Sequence, residues 1–329
     1  RFFGSYLFDV NGDLTATGTE QDSIYFVDHI PTDNWAEKWQ GIDLTGYASN
    51  FTMSYVSVKN PQETSIFMDS MNGDATISID NSRFDGTETA AYLMFVYNAT
   101  TEEDGIIFTN CTFENSNYSN FYYYYNIGDD YDRVSFTNCV FNNSDNSGFS
   151  LQNQASASFT GCSFTNNYYG IKVSPDAHIS YTSIRNSNFI DNDSYAIQTT
   201  QWGGNHGTEL DMRYNYWGEA ATAEMNEGNN PKNISVIRDW WDNDELGPQV
   251  NYAQWVDEPI NMDLVEDVTN FTYLAQRNGN TYYISDAGGD YLSGITLCEE
   301  NGGHMVTIES QQENEFVFSL LSDFGGASN

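Results

Sequence analysis

The stretches FTNCTF from Phe108 and FTNCVF from Phe136 differ by one residue, and FTGCSF follows from Phe159. The same kind of unit recurs as MSYVSV at Met53, IDNSRF at Ile79, IRNSNF at Ile184 and MRYNYW at Met212. Successive starts lie 26, 29, 28, 23, 25 and 28 residues apart. A repeat of this length is a supersecondary unit too small to bury its own apolar face, so it must stack on its neighbours.

Each unit begins and ends on an apolar residue, and its third position is often asparagine: Asn81, Asn110, Asn138 and Asn186. Asparagine tolerates the left-handed backbone conformation better than most residues, so it can bend one strand into the next and reset the side-chain alternation. A third strand follows in AYLMFV at Ala91, FYYYY at Phe121, GFSL at Gly148, GIKV at Gly170 and AIQT at Ala196. A sandwich or propeller would also contain many short strands, but its hairpins favour two-residue Asn-Gly turns between antiparallel partners. Here like residues recur in one chain direction. The expected fold is therefore mainly β, a right-handed parallel β-helix of about seven or more three-strand coils.

NGDLTATGTEQDSIYF from Asn11, WQGIDL from Trp39 and NYWG from Asn215 resemble the entry coils and closing turn of pectin-lyase-like β-helix proteins of the extracellular repeat type. VIRDWWDNDELGPQVNY is similar to the capping segment that follows such a turn. This implies a β-helix over residues 1–218 and a cap and linker over 219–265, at an extracellular or cell-surface location. Arg1 falls inside what resembles an entry coil, so a longer chain is expected.

A second resemblance begins at Asn278. Leu292, Ile295 and Cys298 have helical spacing with Gly302 placed to end the helix, HMVTI reads as a strand, and Ser310 with Glu313 forms a capping box. Phe316, Val317, Leu320 and Leu321 then make an apolar stripe. Tyr282, Tyr283, Cys298, Gly302, Gly303, His304, Val306, Ile308, Glu313 and Phe316 match the opening half of a C-type lectin-like domain, which gives residues 266–329 as a partial α+β module. The family's sugar-coordinating triplet belongs to its second half and does not occur here. The resemblance implies that the disulfide partner of Cys298 lies outside this segment.

Composition bounds the partners. With 47 acidic residues against 11 Lys and Arg, the chain carries a formal charge of −36, which disfavours nucleic acid and anionic membranes. No apolar run is long enough to span a bilayer, so direct membrane insertion is not expected. Cys111, Cys139 and Cys162 occupy equivalent places in consecutive units. In-register parallel side chains suit disulfide geometry poorly, so they are expected to be buried thiols, and none of the four histidines shares their position for a zinc site.

Two loops after consecutive third strands are acidic: Glu102, Glu103 and Asp104, then Asp129, Asp130 and Asp132. Stacked carboxylates would repel. Bound calcium, Arg133 or simple splaying of hydrated loops would each relieve this; no cofactor is otherwise required. DVNGDL at Asp9 has Leu14 where a calcium loop needs glycine and reads as a β-turn. Strict alternation points Leu93, Phe95, Tyr122 and Tyr124 outward as a contact surface. Of eight Asn-X-Ser/Thr sequons, Asn110 should face the bend ladder. Asn50, Asn98, Asn117, Asn142, Asn192, Asn233 and Asn270 remain candidates for glycosylation, with Asn98, Asn142 and Asn192 the best placed.

Hydrolases of the pectin-lyase-like fold resemble one another in Asn-Thr-Asp, Asp-Asp, Gly-His-Gly and Arg-Ile-Lys motifs, of which only fragments occur here. A lyase would need a base, and Lys172 and Arg185 are the basic candidates in the middle coils. The expected role is a non-catalytic extracellular structural or adhesive glycoprotein. Its partners would be glycans, other surface proteins or further copies of itself in a fibre. The alternative is a polysaccharide-active lyase or hydrolase.

Overall fold

The fold is a computed structural model that describes residues 6–27, 39–44, 50–62, 64–69, 76–86, 90–97, 105–125, 133–174, 176–200, 208–243 and 246–323. Its strands wind into three parallel sheets. Among the described residues the first has nine strands, from Leu7–Val10 to Ile237–Arg238. The second also has nine, from Leu14–Thr17 to Gln249–Asn251, and the third has seven, from Ile24–Phe26 to Asn188–Ile190. One coil runs from Ile106–Thr109 in the second sheet through Thr112–Ser116 in the third to Ser119–Tyr125 in the first. The next coil pairs in register, Phe108 with Phe136 and Phe113 with Phe141.

Because pairing is parallel, like side chains meet at the strand repeat of about 4.8 Å. Phe108, Phe136 and Phe159 stack at 5.0 and 4.8 Å. Phe84, Phe113, Phe141, Phe164, Phe189 and Trp217 form a second column with successive rings 4.8–5.1 Å apart. Such pairs add about 0.5–1.5 kcal/mol each beyond their burial. Cys111, Cys139 and Cys162 are buried free thiols in a parallel column, each donating to backbone carbonyls of its own or the preceding coil. Burial pushes the Cys139 thiol well up, so it stays protonated and packs as a small apolar group.

The predicted bends are left-handed: Asn81, Asn110, Asn138 and Asn186 have φ of 47–55°. A second left-handed series, Asn60, Asn115, Asn143, Asn166 and Asp191, closes the third-sheet strands. Ser116 with Ser144, and Ser119 with Ser147, hydrogen-bond rung to rung at the following corner. Buried Asn167 also ties Ser144 N–H to its own coil there.

The break in the opening motif, Gly161 in place of asparagine, has a packing cause. At φ of 64°, a Cβ there would lie 2.5 Å from Asn138 Oδ1 and 2.6 Å from Val265 Cγ1. The chain after the solenoid returns across this bend ladder. Asn138 donates to the Val265 carbonyl (3.2 Å) and Asn186 to the Leu274 carbonyl (2.9 Å), while Asn188 exchanges two bonds with the Ile260 backbone.

The segment expected as a cap contributes more than a cap. Helix α1, Glu219–Asn226, buries Ala221 and Met225 against the core, but Ile237–Arg238 and Gln249–Asn251 then add the last strands of the first and second sheets. Beyond them Phe271–Arg277 and Asn280–Ser285 form an antiparallel hairpin, followed by α2, Tyr291–Glu300, and α3, Gln311–Asp323. Gly302 ends α2 at φ of 76°. Of the expected capping box, Ser310 Oγ accepts from Glu313 N–H, while the Glu313 carboxylate reaches back one residue further, to Glu309 N–H. HMVTI is not a strand: residues 304–308 are extended without a ladder partner, and Met305, Val306 and Ile308 are exposed. The hairpin pairs only within itself, and residues 304–308 join neither of its edges.

Phe316 and Leu320 of α3 pack with Leu274, Ala275 and solenoid residue Tyr214. Asp323 accepts from Arg213 (2.6 Å) and the Tyr214 hydroxyl (2.5 Å). Asp211 pairs with both Arg185 and Arg213. Burial alone would raise its carboxyl, but the hydrogen bonds from Arg213 and Arg185 outweigh that and hold it near about 2. Leu321, expected in the apolar stripe, is instead exposed.

Replacing Gly161 with asparagine restores the repeat at a backbone position that asparagine accepts, leaving the clash with Val265 as its main cost. Gly161→Asn is expected to destabilise docking of residues 265–323 by about 1–3 kcal/mol, with an intact solenoid. Limited proteolysis should then cut this segment faster than in the parent while far-ultraviolet circular dichroism still reports the sheets.

Candidate functional site

The outer face of the first sheet carries the chemistry that the core does not use. Residues with outward parity align through the strand register into one column, Asp9, Asp43, Phe67, Phe95, Tyr122, Ser150, Lys172, Gln198 and Arg238. A shorter column beside it contains Asp69, Tyr97, Tyr124 and Gln152.

The aromatic part is continuous. Phe95 and Tyr122 stack at 4.8 Å and Tyr97 and Tyr124 at 5.0 Å, while Phe67 leans against Phe95 at 5.3 Å. Tyr92 meets Phe95 and Tyr122 edge-on, and exposed Tyr118 extends the patch. Next to it, Gln40, Asp43, Gln62, Phe67, Tyr92 and Phe95 line a groove of about 550 Å³. Rings beside amide and carboxylate groups offer an apolar platform with a few directional polar contacts.

Asp43 is the unusual member of this groove. Its Oδ1 is buried without a hydrogen-bond partner among the described residues. Burial holds its carboxyl above the ordinary range, and the charges of Asp9, one rung away, and Asp69 add to that.

Of the expected contact residues, Phe95, Tyr122 and Tyr124 are half-buried with outward parity. Leu93 is a correction, since it is fully buried. The strand starts at a corner where two successive residues face inward, Leu93 with Met94 as Asn120 with Phe121, and alternation begins only afterwards. A Cβ on Gly86 would come within 3.1 Å of Leu93 Cδ2, which places that side chain under the preceding turn.

The acidic loop residues Glu102, Glu103, Asp104, Asp129, Asp130 and Asp132 lie outside the described residues, as does Asn98. Among the described residues no group of three or more His, Cys, Asp or Glu is placed to hold a metal. DVNGDL turns at Asn11-Gly12 between two strands, as read from Leu14. Asn50, Asn117, Asn233 and Asn270 are exposed. Asn110 reaches the Asn81 side chain in the bend ladder (3.4 Å) but is itself exposed. Asn142 is half-buried and accepts from Thr165 and Asn166. Asn192 is less open than its turn suggested, because its amide nitrogen donates inward to the Phe164 carbonyl (2.9 Å). Cys298 is a half-buried free thiol on α2.

Lys172 is no open base. Half-buried over the Tyr169 ring at 5.4 Å, its ammonium has its pKa lowered by desolvation. Arg185 is committed to Asp211. The groove and its long column went unread in the sequence, although strand starts 24–28 residues apart were a signal that could align Asp43 with Phe67, Phe95 and Tyr122.

The raised Asp43 carboxyl fixes a sign for pH dependence. The folded state holds that proton more tightly than the unfolded chain, so stability falls as pH rises from the ordinary carboxylate range through the raised folded value and is level above it. Asp43→Asn removes this cost. The variant should be more stable than the parent at neutral pH, with the gap closing near pH 3. Urea denaturation midpoints at the two pH values check it.

A family model described as a right handed beta helix region matches residues 66–216. No curated protein matches. No solved structure matches either. No helix among the described residues is long and apolar enough to cross a membrane. Sequence match and strand pairing agree that this stretch is a right-handed parallel β-helix.

Proposed function

We propose that this chain is an extracellular structural or adhesive protein that binds linear glycans along the outer face of its first sheet, without processing them. The observation that carries the reading is the half-buried aromatic ladder of Phe67, Phe95 and Tyr122, flanked by Tyr97 and Tyr124, at the rim of the groove holding Asp43, Gln40 and Gln62. A sugar ring has one face of C–H groups and a periphery of hydroxyls. Aromatic carbon meets the first, and amide and carboxylate groups take the second. A rigid sheet presents these groups without an ordering cost on binding, which favours affinity from shallow contacts.

The resemblance of residues 266–323 to the opening of a C-type lectin-like domain, and exposed sequons at Asn50, Asn117, Asn233 and Asn270, support a surface glycoprotein. One observation favours the enzymatic alternative. Asp9 and Asp43 sit on adjacent rungs beside the groove, and paired carboxylates are the machinery of glycoside hydrolysis.

The test is binding and turnover on the same panel of soluble oligosaccharides. Phe95→Ala and Tyr122→Ala are each expected to weaken binding by about 5- to 150-fold, as loss of one aromatic contact worth about 1–3 kcal/mol. No new reducing ends or unsaturated products should form. Binding unaffected by both substitutions would overturn the glycan surface, and product release abolished by Asp43→Asn would establish the enzyme.

A further inference from the structure

The long column changes chemistry along its length. It begins with Asp9 and Asp43, passes through three aromatic residues and Ser150, and finishes at Lys172, Gln198 and Arg238. Nine positions at the strand repeat span roughly 38 Å, enough for an extended oligosaccharide. We propose that the Lys172–Arg238 end seats a single anionic substituent, a carboxylate or sulfate ester, on an otherwise neutral glycan, so that the ligand lies on the sheet in one direction. This rests on the glycan reading above and adds the ligand's charge and orientation.

The basic end is set apart by its lack of acidic partners. Of the cations whose side chains are described, Lys59, Arg83, Arg185, Arg213 and Lys232 each pair with a carboxylate. Arg277 lies over Phe316 of α3 at 4.8 Å. Lys172 and Arg238 have no carboxylate within ion-pair distance among the described residues. In a chain with 47 acidic residues and 11 Lys and Arg, two cations without a carboxylate partner among the described residues of one column are conspicuous.

Each is instead held over a tyrosine, Lys172 over Tyr169 at 5.4 Å and Arg238 over Tyr195 at 5.8 Å. Those two rings lie parallel, 2° apart in orientation. The cations sit two rungs apart, about 10 Å at the backbone, with the Gln198 carboxamide between them. An anionic group above Gln198 is within reach of both long side chains, whose direction the tyrosines limit in advance.

The other end excludes a polyanion. A ligand charged at every sugar would lay carboxylates over Asp9 and Asp43, against a net charge of −36. A neutral ligand with one charged residue avoids this and is oriented by it: aromatic contact supplies position, the cations supply direction.

The experiment uses the whole chain and an array of linear six-unit oligosaccharides in matched sets: neutral, with one terminal carboxylate, with one terminal sulfate, and charged at every unit. Titration calorimetry on the hits at low salt should show the singly charged members binding about tenfold tighter than their neutral parents. The fully charged members should bind no tighter than neutral ones. The preference should shrink as salt shortens the screening length to about 8 Å and below. The variant carrying Lys172→Gln and Arg238→Gln should bind charged and neutral members alike, while Lys172→Arg with Arg238→Lys keeps the preference. Carboxylate and sulfate sets ranked apart would name the substituent.

Neutral binding without any gain from one charge, or a gain that survives the double glutamine variant, overturns the inference and leaves the glycan surface standing. No binding by any set removes both.

Discussion

Parallel in-register stacking at the strand repeat is the constraint on which the molecule depends. Once one coil sits on the next, position is inherited, so Phe136 must meet Phe108 and Phe159, and Cys139 must lie in line with Cys111 and Cys162. Inside, apolar columns gain from this, because a flat ring at about 4.8 Å spacing has nearly the contact distance that stacking favours. At the corners the same rule would pile up unpaired polar groups, and the chain meets it with ladders of its own, Ser116 to Ser144 and Ser119 to Ser147. Left-handed asparagines complete the arrangement. Each backbone bend costs less there than with other side chains, apart from glycine.

The interior was therefore legible in the sequence, since a repeated environment demands repeated residues. Strand order, bends and buried thiols all follow from FTNCTF and its kin. What failed was local. Leu93 was placed outward by strict alternation, but the corner consumes two inward positions before alternation starts. The HMVTI stretch has the composition of a strand, yet strand formation needs an edge to pair with, and composition cannot supply one. The end of the solenoid was set too early because Ile237–Arg238 is a two-residue strand, too short to show any periodicity.

The surface was less legible for a related reason. Outward residues are not repeated, so no motif marks them. Phe67 and Tyr122 look unrelated in a linear reading, and Asp43 belongs with them only through the register of three successive strand pairings. Gly161 shows the same dependence in reverse. As a deviation from FTNC it carries no local meaning, and its cause, Val265, lies about a hundred residues away in sequence. Deviations from a repeat thus mark the places where the solenoid meets something other than itself.

Viewed so, the two long faces of the molecule have different fates. At the bend ladder Asn138 and Asn186 donate their side-chain amides to the returning chain, with Asp211, Arg213, Tyr214 and Asp323 closing that contact through α3. Among the described residues the first sheet receives no such cover. There the aromatic ladder and the Lys172–Arg238 end remain partly open to solvent. Keeping two cations apart from so many carboxylates requires that their neighbours be tyrosine and glutamine rather than aspartate. A fold that only needed stability would pair those charges, as it does at Arg83 with Glu114 and Arg185 with Asp211. That contrast, between charges neutralised within the chain and charges held open on a rigid sheet, separates the part of this surface that serves the fold from the part available to a ligand.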